Sequence, residues 1–118
     1  TFNEPVQTHD VSGFLFAIHL ERYLKQRLVF DVQFSPCFYE EWDMGFQVMQ
    51  AGLACYAVPV RDFEHHWGAS HDENLSINYF GREISRKEIM SGNRDRFVAK
   101  WMQSSTNEKN ITPELSAI

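Results

Sequence analysis

The sequence predicts an α/β domain in which a short mixed sheet is flanked by helices, and three observations lead there. Residues 11–18, VSGFLFAI, are apolar on both alternating faces, as in a strand covered from two sides. Residues 40–53 repeat large apolar side chains at helical spacing, and residues 54–60, ACYAVPV, read as a second strand closed near Pro59.

Composition sets the outer bounds. A chain of 118 residues with 43% hydrophobic and 14% aromatic side chains suits one domain with a packed core. Sixteen Asp and Glu against eleven Lys and Arg give a net charge of -5, which sets the whole-molecule field against nucleic acid and anionic membrane surfaces. No nucleic-acid partner is expected. No apolar run approaches the ~18 residues of a membrane span, so no transmembrane segment is expected either. Cys37 and Cys55, both in apolar surroundings, read as buried free thiols and point to a reducing, cytoplasmic compartment. The opening TFNEPVQTHD carries no basic-then-apolar leader, and a start at Thr1 without methionine suits a processed or excerpted chain.

After that polar opening and the strand at 11–18, residues 19–27 read as a short charged helix or turn. Residues 28–31 follow, and then a loop broken at Ser35-Pro36. On a helical wheel over 40–53, Trp42, Phe46, Met49 and Leu53 form a buried stripe, while Glu40, Asp43, Gln47 and Gln50 form a polar one; Gly52 is the stop. Residues 61–70 are a polar, histidine-rich connection ending in a WGAS turn. From Leu75 the spacing of Ile77, Phe80, Ile84 and Ile89 predicts a helix interrupted at Ser91-Gly92-Asn93 and resumed with Phe97, Val98 and Trp101. Residues 103–118 are polar without period and read as a mobile tail, leaving residues 1–102 as the domain.

Three clusters hold chemistry. In YEEWDMGF, acids in a first helical turn are stabilised by free N–H groups and the dipole, which accounts for Glu40 and Asp43. Glu41 falls outside the polar stripe, on the side of Gly45 and Gly52, where small residues leave room for an approaching group and partial burial suits a general base. The capping and the catalytic readings both stand at this point. Asp62, Glu64, His65, His66 and His71 fall within ten positions, and imidazole with carboxylate can ligate a divalent ion. That spacing matches no closed zinc site or HExxH helix, so a solvated loop with one histidine packed on Trp67 is the plainer reading. Arg82, Arg86, Lys87, Arg94, Arg96 and Lys100 form a basic run, either the solvated face of a helix or, through Arg82 and Arg86, a source of fixed positive charge for an anionic group.

Four segments together resemble a known family. YEEWDMGFQVMQAGLACYAVPV is similar to the acidic motif, helix and proline-closed strand of inverting nucleotide-sugar glycosyltransferases of the GT-A fold, glycosyltransferase family two. His65-His66-Trp67-Gly68-Ala69-Ser70 resembles its downstream histidine motif, residues 10–18 the segment ahead of its acceptor site, and residues 93–101 its closing helix. The resemblance runs from about Asp10 to Trp101 and implies the acceptor-side half of a GT-A domain. It implies Glu41 as catalytic base, with Asp43 sharing the role because the usual residue is the shorter Asp, and His65 as a ligand of the Mn²⁺ or Mg²⁺ that bridges the sugar diphosphate. Gln47 stands where an Arg is common, making Arg94 or Arg96 candidate charge partners for the acids. The implied partners are a nucleotide-sugar donor and a saccharide acceptor, in bacterial surface-polysaccharide assembly at the inner face of the membrane. The chain has neither the family's Asp-any-Asp pair nor its nucleotide-binding segment. An isolated chain is therefore expected to transfer no sugar, and an exposed sheet edge is expected to drive homo-oligomer formation.

Two rival readings belong to other classes. A non-catalytic interaction module would use the apolar surface for docking and its acids for capping, and a metal hydrolase would use the loop from Asp62 to His71.

Overall fold

The computed structural model describes residues 2–66 and 75–102, and within them the protein is α/β. Two separate antiparallel ribbons of two strands each stand where one mixed sheet was expected. The first joins β1 (Val6–Thr8) to β2 (Cys55–Ala57), with Gln7 opposite Tyr56. The expected strand at 54–60 is thus present but short, and its partner lies in the polar opening segment, where no strand was read.

The predicted strand at 11–18 does not form. The segment is irregular, and Phe14 and Leu15 are 45% and 56% exposed. An apolar run needs a hydrogen-bonding neighbour and a layer on each face to become a central strand, and the described residues supply neither. The charged segment after it does form α1 (Leu20–Lys25), with the His19 side chain accepting from the Arg22 N–H.

A single turn of 3₁₀ helix at Val32–Phe34, capped by Asp31, leads through Ser35-Pro36 to α2 (Glu40–Gln50). The latter ends just before Gly52, whose φ of +73° is the left-handed conformation a terminating glycine supplies.

The helix predicted from Leu75 is instead a hairpin of β3 (Ser76–Tyr79) and β4 (Arg82–Ser85), with Ile77 facing Ile84. Phe80 and Gly81 turn the chain with φ of +51° and +81°, and the Asn78 side chain accepts from the Gly81 N–H at 3.1 Å. Ile77, Phe80 and Ile84 fit a helical stripe, but Ile77 and Ile84 fit a facing strand pair equally well; the two-residue turn decides between them.

The final element, α3 (Arg86–Trp101), is one continuous helix where two were expected. Ser85 caps it by accepting from the Glu88 N–H at 3.1 Å, the Ser-x-x-Glu arrangement of a capping box. A mid-helix glycine costs about 1 kcal/mol relative to alanine. At Gly92 the fixed contacts of the next residue offset this, because the fully buried Asn93 amide donates to three carbonyls of the loop before α2.

Phe34, Phe46 and Phe97 make the core, with Tyr39, Met49, Trp101 and Met102 packed against it. The Phe97 ring lies 5.0 Å from Phe46, 5.5 Å from Tyr39, 6.0 Å from Trp42 and 6.4 Å from Phe34, which joins α3, α2 and the preceding loop in one aromatic cluster. Burying each such ring contributes about 2–3 kcal/mol. Among the described residues, no helix is long and apolar enough to cross a membrane. Trp67, His71, the WGAS turn and the expected tail at 103–118 lie outside the described residues.

Candidate functional site

Helix α2 starts abruptly. Phe38 and Tyr39 both hold positive φ, +75° and +73°, and Tyr39 gives no side-chain cap. Glu40, Glu41 and Asp43 instead fill the first turn, and the structure sends the three carboxylates in different directions.

Asp43 goes inward and is fully buried. Its Oδ1 accepts from Lys100 Nζ at 2.7 Å and from Trp101 Nε1 at 2.8 Å, and its Oδ2 accepts from Gln47 Nε2 at 2.7 Å. The stripe read as polar thus carries an internal network at Asp43 and Gln47. Gln47 continues it by donating to the Val29 carbonyl at 2.8 Å and accepting from the Val29 N–H at 3.2 Å. Lys100 also bonds Asp31 Oδ2 at 2.8 Å. The charge partner of Asp43 is therefore Lys100, not Arg94 or Arg96: Arg94 is exposed, and Arg96 donates to Asn93 Oδ1 at 2.8 Å. With every oxygen of Asp43 engaged inside the fold, an acceptor hydroxyl does not reach it in this arrangement.

Two electrostatic consequences follow from this network. The Lys100 hydrogen bond, opposed by desolvation and helped by Gln33, holds Asp31 down at about 2. Desolvation opposes the charge of Lys100, but its bonds to Asp31 and Asp43 outweigh that and raise its pKa above the ordinary lysine value.

Glu41 is half-buried and turned toward residues 11–18. Its Oε1 accepts from the Gly13 N–H at 3.1 Å, and a Cβ at position 13 would overlap that oxygen. Gly45, expected to leave room for a ligand, is filled by the protein's own chain: a Cβ there would run into the His9 carbonyl. This close crossing brings residues 9–10 onto α2 and carries Gly13 across to Glu41. The next residue, Phe14, stacks on His65 with ring centroids 4.0 Å apart and planes 8° from parallel. Phe63 adds a tilted contact to the same ring at 5.7 Å. The structure thus ties Glu41 and His65, 24 positions apart in sequence, to the adjacent residues Gly13 and Phe14.

Glu40 is held differently. Burial, with the charge of Glu41 adding to it and a backbone hydrogen bond opposing, raises its pKa above the ordinary carboxyl value, and its Oε2 is buried without a hydrogen-bond partner among the described residues. Cys37 is half-buried, and burial followed by the Glu40 charge pushes its thiol up while Arg86 works the other way. Arg86 is the first residue of α3, and its Nε is buried without a hydrogen-bond partner among the described residues. Arg82 is exposed on β4, and no described contact ties it to the acids at the start of α2. Cys55 is also a free, half-buried thiol raised by burial.

For a divalent cation, His65 is one donor without a set. Among the described residues, no group of three or more His, Cys, Asp or Glu side chains is arranged to hold a metal ion. Glu64 and His66, 3.8 Å apart, are both largely exposed. The described residues do not by themselves fit the ion.

Gly13 was not singled out by sequence reasoning, and Lys100 figured there only as one member of the basic run, not as the partner of Asp43. The signal for Lys100 was its place on one face of α3 with Asn93 and Phe97; Gly13 left none beyond being a glycine. Comparison with protein-family models, with curated proteins and with solved structures gives no match to this chain.

Proposed function

We propose that the chain is the acceptor-side part of an inverting glycosyltransferase of the GT-A fold, acting with a donor-binding part not contained in these residues. The observation that supports this reading best is the Glu41–Gly13–Phe14–His65 arrangement, which brings the two residues singled out by the resemblance to neighbouring positions of one loop. Glu41 Oε1 is oriented by the Gly13 N–H. Its carboxylate takes the proton of an acceptor hydroxyl as that oxygen bonds to the anomeric carbon. The bond from that carbon to the nucleoside diphosphate breaks, and the diphosphate leaves with the electron pair. Arg86, whose buried Nε has no hydrogen-bond partner among the described residues, is the basic residue proposed to meet the leaving diphosphate.

The test is Glu41→Gln in the full-length protein that carries this sequence. Transfer from a nucleotide-sugar should fall by about 10³-fold or more, with donor affinity nearly unchanged. Normal transfer by that variant would remove the reading.

One observation favours the rival interaction module: Phe14, Leu15, Phe16 and Ile18 are all exposed in one run beside the same carboxylate. A Glu41→Gln protein with full biological activity and undiminished partner binding would support it.

A further inference from the structure

We infer that Asn93 is a positioning residue for Glu41, acting through the loop that launches α2; this rests on the reading of Glu41 as a base. The loop has an unusual burden. It must pass through two consecutive left-handed residues, Phe38 and Tyr39, immediately before Glu40 and Glu41. Non-glycine residues hold such conformations only where the surroundings over-determine them. Tyr39 contributes no cap of its own, so the constraint comes from elsewhere.

Asn93 supplies it from α3. It is fully buried, and its Nδ2 donates to the carbonyls of Phe34 at 2.8 Å, Cys37 at 2.8 Å and Phe38 at 3.1 Å. Its Oδ1 is taken by Arg96 at 2.8 Å, which turns the amide so that its NH₂ faces the loop. An amide meets this demand, because its two N–H groups, one of them shared between two carbonyls, serve the loop while the opposite end supplies an acceptor. The Phe38 carbonyl belongs to the peptide that enters Tyr39, so a shift there rotates the first turn of α2 and swings Glu41 relative to the Gly13 N–H. The Phe34 and Cys37 bonds fix both sides of Ser35-Pro36 to the same side chain.

The test uses the full-length protein with Asn93→Ala, Arg96→Ala and, as a control for lost stability alone, Ile89→Val, a buried residue one turn before Asn93 on α3 whose apolar side chain makes none of the loop hydrogen bonds. Asn93→Ala should lower kcat by about 30- to 100-fold while donor affinity stays within about twofold, since the defect is one of geometry at the acceptor side. Arg96→Ala, which releases the amide without emptying the site, should lower kcat about threefold to tenfold. Ile89→Val should lower the melting temperature without changing kcat. Unchanged kcat in Asn93→Ala, or a kcat loss in Ile89→Val that scales with its stability loss in the same way, overturns the inference. If Asn93→Ala does not fold, Arg96→Ala decides, and wild-type kcat there overturns it. Full turnover by Glu41→Gln would remove the base reading and this inference together, whereas an inactive Glu41→Gln beside a normal Asn93→Ala would remove only the inference.

Discussion

The ammonium of Lys100 lies 2.7 Å from Oδ1 of the fully buried Asp43, so the last turn of α3 is bonded to the first turn of α2 by a charge pair inside the fold. Breaking such a pair from one side leaves a buried charge uncompensated. Lys100→Met should therefore destabilise by about 3 kcal/mol, the lower end of the usual range because Trp101 and Gln47 still serve Asp43. Adding Asp43→Asn should recover part of the loss. Urea unfolding of the two variants checks this, and a double variant less stable than Lys100→Met would contradict it.

Acid should weaken the fold through Asp31. Its folded pKa of about 2 lies below the ordinary 3.8, so the ionised carboxylate favours the folded state. That contribution is fully present above the ordinary value and is lost as the pH falls through about 2. Melting temperature followed across this window should drop in the wild type, and Asp31→Asn should flatten that part of the curve.

Glu40 has the opposite sign. Burial raises its folded pKa above the ordinary 4.5, so the folded state prefers the proton, and at neutral pH the ionised group weakens the fold. Glu40→Gln should raise the melting temperature at pH 7 by about 2–5 °C and give no gain once the pH is below the unfolded value. Calorimetry at two pH values is sufficient, and a lower melting temperature at neutral pH would count against the assignment.

Gly13→Ala probes the carboxylate directly, because the new Cβ would occupy the place of Glu41 Oε1. The loop is exposed, so the melting temperature should move little. Displacing the proposed base should lower kcat of the full-length protein by about 10- to 100-fold. Retained kcat would show that Glu41 does not need this contact.

Phe97→Ala should be the most damaging single core change, at about 3–5 kcal/mol, because its ring contacts Phe34, Tyr39, Trp42 and Phe46 at once. Denaturant midpoints compared with Met44→Ala measure the difference.

Helix α2 was legible in the letters because the repeat of Phe46 and Met49 and the stop at Gly52 are properties of one short stretch, although Trp42 of the same expected stripe is 39% exposed and Leu53 lies beyond the end of the helix. The same holds for the core of β2, whereas the charged segment at 19–27 read equally as a short helix or a turn and forms α1. The hairpin at 76–85 was not legible, since Ile77 and Ile84 satisfy both a helical stripe and a facing strand pair, and only the turn at Phe80-Gly81 chooses between them. Residues 11–18 mislead for a different reason: they have the composition of a central strand, but strand formation also requires neighbours.

Which carboxylate would be buried was likewise beyond local reading. On a helical wheel Asp43 belongs with the polar residues and Glu41 with the glycines, and nothing near position 43 announces a lysine 57 positions later that makes burial of its charge tolerable. The sequence by itself determined that three acids open a helix beside aromatic residues. Only the packing of α3 onto α2 decided that Asp43 is enclosed with Lys100 and Trp101 while Glu41 stays on the loop side against Gly13, because the cost of burying a charge depends on which partner the fold brings to it.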